Sequence, residues 1–239
     1  MTKKDGIPVV QSTDLTTPRP HSLSPRALTA LGWIAFGVAG AIFFALAWDV
    51  SAQKPLVALD AKVATWLHTH RSSNMTSFMF AVTNAHSTIA MSVASVIVAL
   101  VLARLREWYW ILTLALAMGG GLTLNVALKH AYERARPHFD DALVTLDSFS
   151  FPSGHTAGAT LFYGVLAAFL VSRFFDKRIR AACITVAIVA ISLVALSRMY
   201  LGAHYLSDVL AASASSTAWL VLCLSGVHAL VRQAKRRQA

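Results

Sequence analysis

Three basic side chains stand near short polar motifs in the second half of the chain, a pattern that suits the binding of a phosphate group. Lys129, Arg136 and Arg198 are cations, and the two arginines offer forked donors that match phosphate oxygens. Ser153 adds a hydroxyl, and Gly154 lets a backbone N–H approach closely where a helix begins and its dipole favours an anion. We expect these five residues to bind a phosphate group.

Two histidines and an aspartate could act on a phosphate bound there. His204 and Asp208 are four residues apart, so they would share one face of a helix. The carboxylate could hold the imidazole tautomer and stabilise its cation, which leaves the other ring nitrogen free to attack phosphorus. His155 could protonate the leaving oxygen as a general acid and later activate water as a base. These roles describe hydrolysis through a phosphohistidine.

These residues fall in three short motifs that are well separated along the chain. Lys-x6-Arg-Pro starts at Lys129, Pro-Ser-Gly-His occupies residues 152–155, and Ser-Arg-x5-His-x3-Asp starts at Ser197. In this order and spacing they resemble the three-part signature of the phosphatidic acid phosphatase type 2 (PAP2) and haloperoxidase superfamily. The resemblance extends from about Asn125 to Asp208.

The resemblance implies that His204 is the nucleophile, Asp208 its partner and His155 the acid, in a mechanism without a metal ion or other cofactor. It implies phosphate binding by the residues already singled out, namely Lys129, Arg136, Ser153, Gly154 and Arg198. The sequence departs from the family at Leu206, where many members have proline after the tyrosine. The change loses a preset helix start but removes no reacting group.

The composition indicates that these motifs are carried by membrane helices. Of the 239 residues, 56% are hydrophobic and 13% are charged, whereas soluble domains carry about a quarter charged residues. About 20 helical residues cross a hydrocarbon core of roughly 30 Å. Apolar stretches of suitable length lie at about 28–48, 85–103, 107–128, 156–175, 181–197 and 208–231. We expect an all-α, polytopic membrane helix bundle with about six transmembrane helices.

Basic residues in the short loops indicate how the helices cross the membrane. If six spans alternate, one side, which is then cytoplasmic, carries the basic residues within 3–26, 104–106, 173–180 and 235–237. Lys129, Arg134 and Arg136 crowd a loop on the opposite side, and this exception needs another reason, such as phosphate binding. We expect both termini in the cytoplasm and the active site on the periplasmic or extracellular face of a bacterial inner membrane.

Three segments follow from this arrangement. Residues 1–26 are polar and include Pro18, Pro20 and Pro25, as in a flexible cytoplasmic tail. Residues 27–231 are expected to form the membrane phosphatase domain, and residues 232–239 a basic cytoplasmic tail. In the first outer loop, the stretch 50–84 has apolar residues at near-helical spacing around Asp60 and Lys62. We expect this stretch to form one or two short amphipathic helices on the membrane surface.

The expected activity is that of a membrane lipid phosphatase, which hydrolyses a phosphomonoester or diphosphate of a lipid. A compact chain without an extra soluble domain suits a bacterial undecaprenyl diphosphate phosphatase. Phosphatidylglycerol phosphate, phosphatidic acid and lipid A phosphates remain alternatives, because the three motifs bind the phosphate and the lipid tail lies elsewhere. Transfer of the phosphoryl group to an acceptor instead of water also stays open.

Other classes of function fit the sequence less well. Vanadium haloperoxidases share the signature but resemble soluble proteins, and six apolar stretches argue against that class. A non-catalytic membrane protein would have little reason to keep both histidines and Asp208. Nucleic acid is not expected as a partner, because the net charge of +10 forms no long basic face outside the apolar stretches. The expected partners are membrane lipid and a lipid phosphate or diphosphate substrate.

Two further polar residues have open roles. Asn125 lies one helical turn before Lys129, where it either supports the site or makes a helix–helix hydrogen bond. His86, with its polar neighbours, is expected to mark the point at which the second span enters the membrane.

Overall fold

The computed structural model describes residues 25–237, and all regular secondary structure in that range is helical. The expected tail over 1–26 lies outside the described residues except for its last two, which already belong to the first helix. The helices are α1 (Pro25–Ser51), α2 (Pro55–Thr69), α3 (Ser73–Ala85), α4 (Thr88–Arg104), α5 (Trp108–Ala115), α6 (Gly121–Tyr132), α7 (Gly154–Arg173), α8 (Lys177–Tyr200) and α9 (Leu206–Arg237). A π-helical turn over Leu116–Gly120 joins α5 to α6.

Within residues 25–237, five helical segments are long and apolar enough to cross a membrane. They are Thr29–Ser51, Trp108–Tyr132, Gly154–Arg173, Lys177–Tyr200 and Leu206–Ala234. Helices α3 and α4 make a sixth candidate as a pair bent by 50°. The expectation of an all-α bundle with about six membrane helices is therefore confirmed.

The bend between α3 and α4 lies where the sequence indicated the start of a simple second span. Ser87 caps α4 by accepting a hydrogen bond from the backbone N–H of Ala90, so the apolar helix begins at Thr88. His86 sits at the bend, with one ring nitrogen 2.8 Å from the Val82 carbonyl oxygen and the other 2.8 Å from the Tyr163 hydroxyl. The histidine thus joins α3 to α7 at this point.

Several helices extend beyond their apolar stretches because polar caps and charged turns prolong them. Helix α8 was expected over 181–197, but it starts at Lys177, since the Asp176 side chain accepts a hydrogen bond from Arg178 N at 2.7 Å. Helix α9 continues as far as Arg237, so most of the expected basic tail over 232–239 prolongs the last helix. Hydropathy does not detect such charged helix ends.

The centre of the bundle is α7, which packs against α8 and α9, while α1 packs against α9. Small residues at Ala157, Gly158 and Ala159 let neighbouring helices approach it closely. The long loop between α6 and α7 is anchored by Phe151, which is fully buried. Its ring lies 6.1 Å from that of Phe43 and 5.0 Å from that of Tyr132. The loop is thereby held over one end of the bundle.

Candidate active site

The end of the bundle covered by this loop collects every candidate residue. Four helix ends meet there, so residues from distant motifs become neighbours. The last turns of α6 and α8, the first turns of α7 and α9, and the two loops between these helix pairs supply Lys129, Arg136, Ser153, Gly154, His155, Arg198, His204 and Asp208. Lys129 lies within electrostatic range of Arg136, Arg198 and Asp208.

His204 and Asp208 do not share a helix face, so the expectation from their spacing was wrong. Helix α8 ends at Tyr200 and α9 begins at Leu206, so His204 lies in the connecting loop and Asp208 lies in the first turn of α9. The loop turns back through Gly202, whose φ of +75° favours glycine. His204 Nδ1 nevertheless lies 3.5 Å from Asp208 Oδ2. A loop conformation, not helical periodicity, brings the pair together.

Asp208 also fixes the start of its own helix. Its Oδ2 accepts a 2.8 Å hydrogen bond from the backbone N–H of Tyr205, the residue before the helix. This contact is the acidic half of a capping box. Helix α9 therefore begins at Leu206 without the proline that many family members have there. The same oxygen accepts a hydrogen bond from the hydroxyl of Ser150 in the loop between α6 and α7.

Arg136 determines which nitrogen of His204 carries the proton. Its Nη1 lies 3.3 Å from His204 Nε2. Because a guanidinium only donates hydrogen bonds, Nε2 must accept, and the ring proton is assigned to Nδ1, which faces Asp208. His204 thus presents the lone pair of Nε2 to a cation that suits phosphate.

The ring of His204 is only 2% exposed, and its surroundings favour the neutral form. Burial lowers its pKa to about 4, although Asp208 acts in the opposite direction. Arg136 and Arg198 add to the lowering because their charges repel an imidazolium cation. A neutral imidazole with an unprotonated Nε2 is the form that can act as a nucleophile, once a bound phosphate takes the place of Nε2 as the acceptor for Arg136.

Two of the candidate cations hold the loop that covers the site. The carbonyl oxygen of Phe149 accepts from Lys129 Nζ at 2.6 Å and from Arg136 Nη2 at 3.1 Å. Arg136 also donates to the Ser148 carbonyl at 2.7 Å and to the Ala203 carbonyl at 2.6 Å. Arg136 therefore ties the α6–α7 loop to the α8–α9 loop while it contacts His204.

Arg198 is held in place by a residue of α3, a helix in which the sequence indicated no site residue. Its Nη1 donates a 2.6 Å hydrogen bond to Oγ1 of Thr83 in α3. Among the described residues its buried Nε finds no acceptor. A buried guanidinium nitrogen without an acceptor is costly unless an anion binds beside it, so this donor is suited to a phosphate oxygen.

The Pro-Ser-Gly-His motif forms the start of α7, as expected. Ser153 is its N-cap and is fully buried, with its Oγ accepting from Thr156 N at 3.5 Å and from Thr156 Oγ1 at 3.1 Å. Gly154 is the first helical residue, and a Cβ there would lie 3.5 Å from Oδ1 of Asn125. Asn125 Nδ2 donates to the Pro152 carbonyl at 3.5 Å, so it braces this motif, and within the described part of the chain it makes no hydrogen bond to another helix.

His155 lies in the first turn of α7, beside the residues of the site. It lies within electrostatic range of Arg198, His204 and Arg136. It also lines a cavity of about 40 Å³ together with His86, Met118, Leu122 and other residues of α4, α6 and α7. This position suits a group that exchanges a proton with a substrate oxygen bound among the cations.

Sequence reasoning missed four residues that contact the site or its immediate supports, namely Asp60, Thr83, Arg134 and Ser150. The sequence indicates Arg134 only as one of the basic residues that break the loop-charge rule. Asp60 was expected on an amphipathic surface helix, but its side chain is fully buried. That expectation for Asp60 was wrong because a contact with Arg134, at 2.8 Å, draws the carboxylate inward. No local pattern in the sequence indicates such a contact.

Comparison with known proteins confirms the resemblance. The model of the PAP2 superfamily matches residues 108–232, more than half of the chain, and the protein belongs to this superfamily. Phosphatidylglycerophosphatase B of Bacillus subtilis (strain 168) is 36% identical over 107 residues, which cover 44% of this chain and 51% of that protein. The match thus spans about half the length of the curated relative.

Solved structures support the same fold. A crystal structure of a transmembrane PAP2-type phosphatidylglycerolphosphate phosphatase from Bacillus subtilis superposes with a TM-score of 0.73 and 29% identity, covering 80% of this chain and 94% of that chain. LpxE of Aquifex aeolicus has a TM-score of 0.57 at 22% identity, covering 70% and 95% of the two chains, which indicates a shared fold alone. With its apolar helices, the protein is a multi-pass membrane protein.

Proposed function

We propose that the protein is a lipid phosphatase that works through a phosphohistidine on His204. The observation that carries the proposal is the position of this ring between two charged groups. Nδ1 faces the Asp208 carboxylate at 3.5 Å, and Nε2 faces Arg136 Nη1 at 3.3 Å. The nucleophilic nitrogen therefore points to where a phosphate oxygen would meet a guanidinium.

In the first step, His204 Nε2 attacks phosphorus and the bond from phosphorus to the leaving oxygen breaks. Asp208 stabilises the positive charge that develops on the ring. Lys129, Arg136 and Arg198, together with N–H groups at the start of α7, stabilise the charge on the transferred group. His155 gives a proton to the leaving oxygen. The products are a phosphohistidine and a lipid alcohol or lipid phosphate.

In the second step, water attacks the phosphohistidine and His155 acts as the base. The P–N bond breaks, inorganic phosphate is released and His204 returns to its neutral form. All the groups in these steps are side chains or backbone N–H groups of this chain, so we expect turnover without a metal ion. Residues on four helix ends and two loops must act together, which explains why the motifs lie so far apart in sequence.

The relatives favour phosphatidylglycerol phosphate as the substrate. The curated relative and one superposed structure are phosphatases of that lipid. Undecaprenyl diphosphate, the substrate expected from the sequence, is the second candidate. The two lipids differ in the leaving group, which is the glycerol hydroxyl of phosphatidylglycerol in one and a lipid phosphate in the other, whereas the residues described above bind the transferred phosphate.

We propose that the site opens to the outer face of the bacterial cytoplasmic (inner) membrane, with both termini in the cytoplasm. The basic residues at the far end of the bundle support this orientation. Arg104, Arg173 and Lys177 all lie at helix ends opposite the site, and Arg173 forms a 2.9 Å ion pair with Glu107. Short loops rich in Lys and Arg favour the cytoplasm.

The test is phosphate release by protein purified in detergent, measured on phosphatidylglycerol phosphate, undecaprenyl diphosphate, phosphatidic acid and lipid A in the presence of EDTA. His204→Ala serves as the control for the nucleophile. Preference for the first lipid in kcat/KM, with no turnover by His204→Ala, is the expected result. Full activity of His204→Ala would refute the mechanism, and preference for another lipid would refute only the substrate.

A further inference from the structure

We propose that Arg134 is a positioning residue, which holds the Asp208 carboxylate in the orientation that its contact with His204 requires, and that Asp60 of α2 holds Arg134 in turn. The inference rests on the proposed function of the site. Arg134 Nη1 donates to Asp208 Oδ1 at 2.7 Å, and Nη2 donates to Asp60 Oδ2 at 2.8 Å. One guanidinium therefore joins a helix of the first outer loop to the third motif.

The two oxygens of Asp208 have different partners. Oδ2 faces His204 Nδ1 and accepts from Tyr205 N and the Ser150 hydroxyl. Oδ1 accepts from Arg134, and the described residues offer it no other donor. Arg134 thus prevents the Asp208 carboxylate from rotating about its Cβ–Cγ bond. Without it, a fully buried oxygen would lose its partner, and the carboxylate would turn or take up a proton to satisfy that oxygen.

Asp60 and Ser207 keep Arg134 in place. Asp60 Oδ1 accepts from the backbone N–H of Ser207 at 2.9 Å, and its Oδ2 accepts from the Ser207 hydroxyl. The same hydroxyl accepts from Arg134 Nη1 at 2.7 Å. The guanidinium lies with its Cζ 4.3 Å from the ring centre of Tyr205, which limits its motion on that side. The Arg134 guanidinium is therefore held in place between the two carboxylates.

The charges of the network support a role in orientation. Burial disfavours the Arg134 cation, but Asp208 and Asp60 outweigh this effect and raise its pKa. The guanidinium stays charged between two buried carboxylates. Only a planar group with parallel donors can bridge both at hydrogen-bond distance, so lysine is not an equivalent replacement.

A purely structural role for Arg134 predicts a different outcome from a positioning role. Loss of packing alone would lower the melting temperature and weaken phosphate binding and turnover together. Loss of orientation at His204 would lower kcat and leave KM nearly unchanged, because Lys129, Arg136 and Arg198 stay in place. The two roles can therefore be separated by kinetics in protein that remains folded.

The experiment compares Arg134→Ala with Arg173→Ala, which removes an exposed arginine at the far end of the bundle, on whichever lipid the wild type hydrolyses best. We expect Arg134→Ala to lower kcat by about 100-fold and to change KM by less than about threefold.

Arg134 lines a cavity of about 570 Å³ that also borders Val57, Ala131 and Tyr205. Added methylguanidinium should reach the vacated place through it and restore at least part of kcat. The kcat of Arg173→Ala should equal that of the wild type both with and without added methylguanidinium.

Orthovanadate binding gives a readout that does not need turnover. Its five-coordinate adduct requires an in-line nitrogen, so its affinity reports the orientation of His204, whereas orthophosphate affinity reports the cations. Arg134→Ala should weaken vanadate binding and leave phosphate binding unchanged. If the wild type hydrolyses none of the lipids, the proposed function fails, and this pair of affinities alone decides the role of Arg134.

Other results would overturn the inference. A folded Arg134→Ala with kcat within about threefold of the wild type would do so, as would an equal loss of vanadate and phosphate affinity. If Arg134→Ala does not fold, Arg134→Lys and Asp60→Asn take its place. Each should lower kcat with little change in KM, and wild-type kcat in both would contradict the positioning role.

Discussion

The Nη1 atom of Arg136 lies 3.3 Å from Nε2 of His204, and the same guanidinium donates to carbonyl oxygens of Ser148, Phe149 and Ala203. The residue therefore joins two loops and faces the candidate nucleophile at once. A phosphate bound to this guanidinium would lie next to Nε2. Because Arg136 makes both sets of contacts, the position of the two loops and the alignment of a bound phosphate with His204 depend on the same side chain.

The pH dependence of activity follows from the buried ring of His204, whose pKa lies near 4. Above that pH the ring is neutral and can attack, and below it the ring is protonated and cannot. We expect kcat/KM to fall as the pH drops through about 4, and not near 6.5, the ordinary value for histidine. The profile must be corrected for ionisation of the substrate phosphate, which 31P NMR measures under the same conditions. If the corrected kcat/KM still falls as the pH drops through about 6.5, the result contradicts the prediction.

Ser150→Ala should reduce kcat, because it removes a hydrogen bond to Asp208, the partner of His204. The Ser150 hydroxyl donates to Asp208 Oδ2 and lies 3.5 Å from His204 Nδ1. Loss of one hydrogen bond to a charged group corresponds to roughly a tenfold decrease in kcat, with KM little changed. Steady-state kinetics check this, and Ser172→Ala, at the far end of the bundle, is the matched control. Equal kinetics for the two variants would exclude a role for the Ser150 hydroxyl.

Thr83→Val should weaken phosphate binding from a distance. Valine keeps the volume of the side chain but removes the oxygen that accepts from Arg198 Nη1 at 2.6 Å. We expect kcat/KM to fall by about tenfold, mainly through KM, because Arg198 loses its fixed direction. Thr113→Val is the control, since among residues 25–237 the Thr113 hydroxyl bonds only to the Tyr109 carbonyl within its own helix. A loss confined to kcat would argue that Thr83 does not act through phosphate binding.

Gly120→Ala should lower the melting temperature of the protein. A Cβ at Gly120 would lie 2.4 Å from Cζ2 of Trp219, and that ring is held by its Nε1, which donates to the Leu116 carbonyl at 3.1 Å. Overpacking of this kind costs about 1–3 kcal/mol of unfolding free energy. Gly119→Ala is the control, because among the described residues a Cβ there would meet nothing within 4 Å beyond the adjoining backbone of its own helix and its chain neighbours. Thermal unfolding in detergent should separate the two variants, and equal melting temperatures would contradict the prediction.

Much of the fold could be predicted because its signals are local in sequence. The apolar stretches around residues 28–48 and 156–175 correspond to α1 and α7 within a few residues. Helix ends were predicted less well where charged turns prolong a helix, as at Lys177. The bend at His86 was not predicted either, because it depends on a side-chain contact with Tyr163, 77 residues further along the chain.

The sequence by itself determined that the three motifs meet and at which end of the bundle they do so. Motifs at Lys129, Ser153 and Arg198 lie at the ends of apolar stretches, and alternation of the spans brings those ends to one side. The tertiary structure alone decided how these residues are held. Asp60 meets Arg134 across 74 residues and Thr83 meets Arg198 across 115, so no local periodicity reports either pair. Burial makes an unpaired charge so costly that the folded chain must supply these partners, and only the packed bundle specifies which residues they are.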